Sequence, residues 1–217
     1  ESGFGQNEVD FMYSTALKSA DNLNTFKSTV KAIADRNGLF ASFMPKPLPD
    51  WDGSGMHINI SAKGDGGRDL LPAVMAGILE KCAEITLFLN PCEESYRRLG
   101  HDKAPRYVTW SDENRSQLIR VPAAVGEQRR AELRSADVTA NPYLAYALLI
   151  YAGLYGIEKG LVLPPASDIN LYTAPAEILQ TLQALPGSLE EAAALAATSA
   201  FVREHLPDSV LSAFSGR

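Results

Sequence analysis

Gly53-Ser54-Gly55-Met56-His57-Ile58-Asn59-Ile60-Ser61 opens on a glycine-rich turn and then alternates apolar and polar residues without a break. As a strand, this stretch sends Met56, Ile58 and Ile60 to one face and His57, Asn59 and Ser61 to the other. The first set predicts a sheet with a packed side, and the second predicts a polar floor on which a site can be built. A single histidine on a strand is an ordinary structural residue. The weight of His57 therefore depends on what the rest of the chain brings beside it.

Upstream, residues 6–11 alternate Gln6, Glu8 and Asp10 against Asn7, Val9 and Phe11, which predicts an exposed or site-lining strand. Leu23, Phe26, Val30 and Ile33 recur at helical spacing and predict a helix over 14–37, with Gly38 as its terminator. Residues 39–44 read as another strand. Pro45, Pro47 and Pro49 then force an extended loop that leads through Asp50, Trp51 and Asp52 into the opening motif. Downstream come a turn at 64–67, a helix over 72–90, a charged irregular loop over 91–105, and short strands over 115–121 and 131–134. Asn141 and Pro142 supply a cap and a first-turn proline to a long apolar helix, and weaker helices follow over 188–199 and 202–214. Strands and helices interleave without a βαβ rhythm. The predicted class is α+β, an antiparallel or mixed sheet with helices on its outer face.

Composition narrows the function classes. The 217 residues are 46% hydrophobic and 21% charged, ordinary values for a globular chain with room for one large core or two modest ones. A net charge of −6 argues against a general nucleic-acid binder. Cys82 and Cys92 make neither a disulfide framework nor a thiolate zinc site, so a reducing cytoplasm is the expected compartment. Residues 138–157 are uncharged over a bilayer-crossing length, yet Asn141, Pro142, two glycines and four tyrosines within them predict a buried helix and no membrane span. The chain starts at Glu1 without a visible signal peptide, which suggests a piece of a longer polypeptide.

The chemistry gathers around Arg129-Arg130-Ala131-Glu132-Leu133-Arg134. In a strand, Arg130, Glu132 and Arg134 share one face while Ala131 and Leu133 face inward. One reading is a surface cross-strand salt bridge, which contributes little. The other is a cation-binding carboxylate flanked by guanidinium groups that hold anionic oxygens. Arg97, Arg98, Arg115 and Arg120 enlarge the basic set within an acidic protein. Such a concentration suits phosphoryl chemistry, which needs divalent metal and fixed positive charge around the transferred group. Glu1, Glu8, His57 and Glu132 are candidate metal ligands, and three carboxylates with one imidazole favour Mg2+ or Mn2+ over zinc.

Six stretches occur in the order found in glutamine synthetase catalytic domains, the family this chain resembles over about residues 1 to 160. They are Glu1-Ser2-Gly3-Phe4-Gly5-Gln6-Asn7-Glu8, Phe43-Met44-Pro45-Lys46-Pro47, Gly53-Ser54-Gly55-Met56-His57, Asn114-Arg115-Ser116 with Ile119-Arg120-Val121-Pro122, Ala131-Glu132-Leu133-Arg134, and Ala140-Asn141-Pro142-Tyr143-Leu144. The resemblance implies the glutamine synthetase/guanido kinase-like catalytic fold, here a partial domain truncated at both ends. The family's small amino-terminal domain and the first catalytic strands, with two further metal-ligand glutamates, are expected to lie outside these residues.

The implied activity is ATP-dependent. ATP phosphorylates the side-chain carboxylate of glutamate, and ammonia displaces phosphate from the γ-glutamyl phosphate to give glutamine. By resemblance, Glu1 and Glu8 hold one metal, and His57 and Glu132 hold the second. Arg98 and Arg134 hold the amino acid's carboxylates, and Gly53 contacts its amino end. Arg115, Arg120 and Arg130 surround the nucleotide phosphates, with Arg115 on the transferred phosphoryl, and Ser61 and Asn59 lie on the nucleotide side. The resemblance also implies a ring-shaped homo-oligomer whose active sites form between subunits, so the isolated chain is expected to be inactive and to bind metal and nucleotide weakly.

Three positions depart from the family pattern. Asn59 stands where many members carry a second histidine, and Asp52 stands where an asparagine is usual. In Gly100-His101-Asp102-Lys103-Ala104-Pro105, a loop one residue short, Lys103 takes the place of a flap glutamate that helps deprotonate the amine. A lysine is no anionic lid for ammonium. The departures open two alternatives, a γ-glutamyl-amide ligase for a larger amine such as a polyamine or ethanolamine, and a noncatalytic member kept for assembly or regulation.

Overall fold

A computed structural model describes residues 1–124 and 126–215. Its core is built on two helices that are apolar on nearly every side, α2 (Leu71–Leu89) and α4 (Pro142–Glu158), a pattern that demands burial all round. Among their residues, Met75, Ile78, Ile85, Phe88, Ala145 and Leu148 are almost completely removed from solvent. The two backbones touch at a pair of glycines. A Cβ on Gly77 would fall 2.0 Å from the Ala152 carbonyl oxygen, and one on Gly156 would fall 2.1 Å from that of Ala73. Asn141 accepts from the Tyr143 amide at 3.0 Å and the Leu144 amide at 3.4 Å, and Pro142 fills the first turn, the start predicted for α4. No helix among the described residues is long and apolar enough to cross a membrane.

Against this pair lies a four-stranded mixed sheet of β1 (Ile58–Ile60), β2 (Trp110–Ser111), β3 (Ile119–Arg120) and β4 (Ala131–Leu133), in the order β1-β4-β3-β2. β4 pairs antiparallel with both β1 and β3, and β2 runs parallel to β3. Ile58, Ile119, Ala131 and Leu133 join the core, and Met56 enters it just before β1, as the alternation predicts. The class is α+β with a small mixed sheet.

α1 (Ala16–Arg36) rests on α4, where the Tyr143 hydroxyl donates to Asp21 at 2.6 Å and Lys27 Nζ donates to the Val138 carbonyl at 2.5 Å. Ala20 and Leu23 are buried, but Ile33 is exposed, so only the first half of the predicted face is used. Gly38 follows the end of the helix, and its φ of 68° is the left-handed geometry expected of a terminator.

The structure corrects several expectations. Residues 6–11 and 39–44 are not strands, because neither makes ladder hydrogen bonds among the described residues; a strand-like sequence alone cannot supply a partner. The strand expected over 115–121 shrinks to Ile119–Arg120, since the Asn114 side chain accepts from the Ser116 amide at 2.9 Å and folds the preceding residues into a turn. The loop expected over 91–105 contains α3 (Glu93–Arg98), with acids in its first turn and arginines in its last. α5 (Ala176–Leu179) and α6 (Leu189–Thr198) follow, the latter capped by Ser188. The last predicted helix is two, α7 (Ala200–His205) and α8 (Asp208–Ser215), parted at Pro207, which cannot continue a helix.

Candidate active site

The opening motif is shaped by an arginine beneath it. Arg98, the last residue of α3, is buried, and its Nη1 donates to the Ser135 carbonyl at 2.8 Å while Nη2 donates to that of Arg134 at 3.2 Å. A Cβ on Gly55 would come within 2.5 Å of Arg98 Nη2, and one on Gly53 within 2.6 Å of the Pro45 carbonyl oxygen. The two glycines therefore let the turn lie on the guanidinium. Burial lowers the Arg98 pKa to about 10, partly opposed by the charge of Asp137, a fully buried acid that the sequence analysis passed over.

On the sheet, register brings Asn59 opposite Glu132, and the His57 side chain reaches diagonally to it, Nδ1 lying 3.1 Å from Glu132 Oε1. The second oxygen, Oε2, is 2.7 Å from Arg120 Nε and 3.1 Å from Arg134 Nη1. The Arg120 contact is an ion pair whose N–H is not aimed at the oxygen, since that Nε has no hydrogen-bond acceptor. Arg130, expected beside Glu132, turns away, and its Nε donates to Asn59 Oδ1 at 3.0 Å. Arg120 takes its place from the neighbouring strand.

Glu132 is only 9% exposed at its side chain, and burial alone would raise its pKa. The His57 hydrogen bond and the arginine charges overcome that and hold it at about 2. Burial pushes His57 down against the opposing pull of Glu132, which favours the neutral ring at pH 7. A neutral ring whose Nδ1–H is tied to a carboxylate presents the lone pair of Nε2, the form in which histidine binds a metal. Arg134 spends its guanidinium on the protein. Besides Glu132, Nε donates to the Arg115 carbonyl at 3.1 Å and Nη2 to the Lys103 carbonyl at 3.3 Å. Arg115 itself projects its side chain at the surface, and Ser61 is likewise exposed.

A second acidic corner stands at the surface. The carboxyls of Glu1 and Glu8 interact directly, so that Glu1 is drawn down to about 2 by Glu8 and Lys103, while Glu8 is pushed up by Glu1. Two carboxylates pressed together are a donor set that a hard divalent cation relieves, and they fit Mg2+ or Mn2+. Among the described residues, however, no three His, Cys, Asp or Glu side chains converge, so the Glu1–Glu8 pair and the His57–Glu132 pair stand apart. Gly53, expected at the substrate's amino end, has its carbonyl taken by Gln6 Nε2 at 3.0 Å. A cleft of about 520 Å³ runs beside the 100–105 loop, lined in part by His101, Asp102, Arg106 and Tyr172, none of them an expected ligand.

Sequence reasoning also missed Lys46 and Asp102, whose ion pair of 2.7 Å joins the proline-rich loop to the 100–105 loop. Fifty-six residues separate them, and no local pattern announces the pairing.

The fold is an α+β domain with arginines gathered round a buried carboxylate on its sheet and a pair of acids at its surface. The profile described as "Glutamine synthetase, catalytic domain" matches residues 1–216, and the chain belongs to that family. It is 40% identical over 222 residues to a glutamine synthetase of Clostridium saccharobutylicum and 41% over 221 residues to one of Pyrococcus furiosus. These matches cover 95% and 96% of this chain and 50% of each relative, so the chain spans about half the length of the curated relatives it matches. Among solved structures it is similar to one described as "GmaS/ADP complex-Conformation 1", at 30% identity and a TM-score of 0.82 over 95% of this chain and 51% of that one. It is also similar to "Apo GmaS without ligand", with a TM-score of 0.79 at 30% identity, over 94% and 49% of the two chains.

Proposed function

We propose that this chain is a large part of an ATP-dependent ligase that forms glutamine from glutamate and ammonia through a γ-glutamyl phosphate. The observation that carries the reading is the convergence of His57, Glu132, Arg120 and Arg134 on one sheet face, within a chain that matches the catalytic-domain family from end to end. The ADP of the similar GmaS complex supports a nucleotide co-substrate here. Bound Mg2+ or Mn2+ would neutralise phosphate charge and polarise the bond to the transferred group.

The chain's own residues divide the work. Glu1 and Glu8 hold one cation, and His57 and Glu132 hold the second, with Glu132 also orienting the imidazole. Arg115, with its side chain at the surface, steadies the transferred phosphoryl, while Arg120, Arg130, Asn59 and Ser61 line the nucleotide side. Arg98 and Arg134 serve the amino acid's carboxylates, their guanidinium groups also fixing the glycine turn and Glu132 from beneath, and Gly53 meets its amino end. The assembly proposed is a ring-shaped homo-oligomer of the longer protein, working in the cytoplasm.

One observation favours a second reading, a ligase for a larger amine. Lys103 brings a cation to Glu1 and Asp52, where the family resemblance implies an anionic flap for ammonium. ATP-dependent phosphate release by the full-length protein, with glutamate and a panel of ammonium, ethanolamine and polyamines, separates the two. Turnover with ammonium supports glutamine formation. Turnover confined to the larger amines supports the second reading, and turnover with none supports a noncatalytic member. In the active case, Arg115→Ala is expected to lower turnover by about 100-fold or more.

A further inference from the structure

The 100–105 loop is fastened at three points, each of a different kind. From the interior, Arg134 Nη2 donates to the Lys103 carbonyl at 3.3 Å. From the side, Lys46 Nζ meets Asp102 Oδ2 at 2.7 Å, while the same ammonium donates to the Trp51 carbonyl at 2.7 Å. From the outside, the Lys103 side chain reaches over the edge of the site. Its Nζ lies 3.1 Å from Glu1 Oε1 and 3.4 Å from Asp52 Oδ2, and it donates to the Ser2 hydroxyl.

The first contact holds the loop's backbone, the second holds the Asp102 side chain, and the third holds only the Lys103 side chain. Releasing the Lys103 ammonium therefore requires rotation about a flexible four-carbon stem and no movement of the loop. The ion pair is also open to water, with 45% of the Lys103 side chain and 36% of that of Glu1 exposed, a setting in which such pairs are weak and screened by salt. Glu1 faces this ammonium on one side and the carboxyl of Glu8 on the other. A cation that bridges Glu1 and Glu8 must share Glu1 with Lys103 or take Oε1 from it.

We infer that Lys103 is a tethered internal cation that competes with divalent metal for Glu1, and so sets the metal concentration at which the Glu1–Glu8 pair is filled. The inference rests on the proposed role of Glu1 and Glu8 as metal ligands. The three carboxylates of Glu1, Glu8 and Asp52 carry three formal negative charges, and the ammonium offsets one of them. Against the two carboxylates that this chain offers the metal, that single charge is a large share of the balance. Once displaced, the ammonium stays within reach of Asp52 and keeps the corner from becoming strongly acidic.

Water-proton relaxation titrations with Mn2+ test this on the 217-residue chain, since the method reads weak binding and needs no turnover. Lys103→Met is expected to lower the Mn2+ Kd by about threefold to fivefold, the range set by one exposed ion pair. Lys103→Arg is expected to leave it near the wild-type value, and Glu8→Gln to raise it steeply. High salt is expected to shrink the difference between wild type and Lys103→Met. If Glu8→Gln weakens binding while Lys103→Met leaves the Kd unchanged or raises it, the competition is overturned and the metal-ligand reading stands. If Mn2+ binds neither wild type nor variant, or binds without regard to Glu8, the metal-ligand reading fails and the competition fails with it. Thermal unfolding of each variant confirms that the comparison is made between folded chains.

Discussion

Glu132 and Glu1 are both carboxylates with basic partners, and the two corners they occupy differ in almost every physical respect. Glu132 lies in the sheet at 9% exposure, with Arg120 delivered by the neighbouring β3, His57 by the residue just before β1 and Arg134 by the residue just after β4. Glu1 lies at the surface, with one lysine from a loop and one acid pressed against it. The first corner is fixed by the register of the fold and cannot change partners without unpairing strands. The second is held by side chains free to rotate. The difference teaches which charges belong to the architecture and which remain available to a ligand.

Breaking the buried corner gives the largest expected effect. Glu132→Ala leaves the guanidinium of Arg134, at 3% exposure, without its counter-ion, and is expected to destabilise the chain by about 3–5 kcal/mol in urea unfolding. The same corner predicts an acid limb. The folded pKa of Glu132, about 2, lies below the ordinary 4.5, so its contribution is complete above pH 4.5 and is lost as pH falls toward 2. Stability measured across that window should fall in the wild type, and Glu132→Gln should flatten the slope. An equally steep slope in the variant would mean that other carboxylates govern acid unfolding.

A steric break in the interior sharpens the contrast by involving no charge. Gly77→Ala puts a methyl 2.0 Å from the Ala152 carbonyl oxygen, which forces α2 and α4 apart, and about 2–3 kcal/mol of destabilisation is expected, with no added dependence on pH or salt. Retention of wild-type stability in urea would show that the helix pair yields more easily than its packing implies.

What could be read from the sequence follows the same division between local and distant causes. The cap at Asn141-Pro142, the stop at Gly38 and the alternation from Met56 to Ile60 are local, and each appears where its pattern predicts. The nearness of His57 to Glu132 was legible only through the family resemblance, because the register that joins them is set by strand pairing 75 residues apart in sequence. Residues 6–11 misled because period-two alternation describes a surface and says nothing about a partner, and 39–44, read as a strand, likewise finds none among the described residues. Pro207 was a readable break that the apolar spacing around it masked. Arg98 under Gly53 and Gly55, and Arg120 in place of Arg130 at Glu132, depend on side-chain paths that residue spacing does not encode.

The smallest effects belong to the surface corner, and they separate its two lysines. Lys46 is 11% exposed at its side chain and has two acceptors, one of them on Asp102, a non-glycine residue in the left-handed region at φ 55°. Removing it with Lys46→Met frees a backbone geometry that few residues adopt unaided, so about 1 kcal/mol of destabilisation is expected. Lys103 is exposed and held only by its tip. Lys103→Met is therefore expected to change stability by less than about 0.5 kcal/mol, and that little should vanish in high salt. Paired urea titrations at low and high salt make the comparison. Should Lys103→Met destabilise as much as Lys46→Met, and do so in high salt, the ammonium would be part of the fold, as the cations around Glu132 are. A change confined to low salt leaves Lys103 free to yield Glu1, the property that a tethered competitor requires.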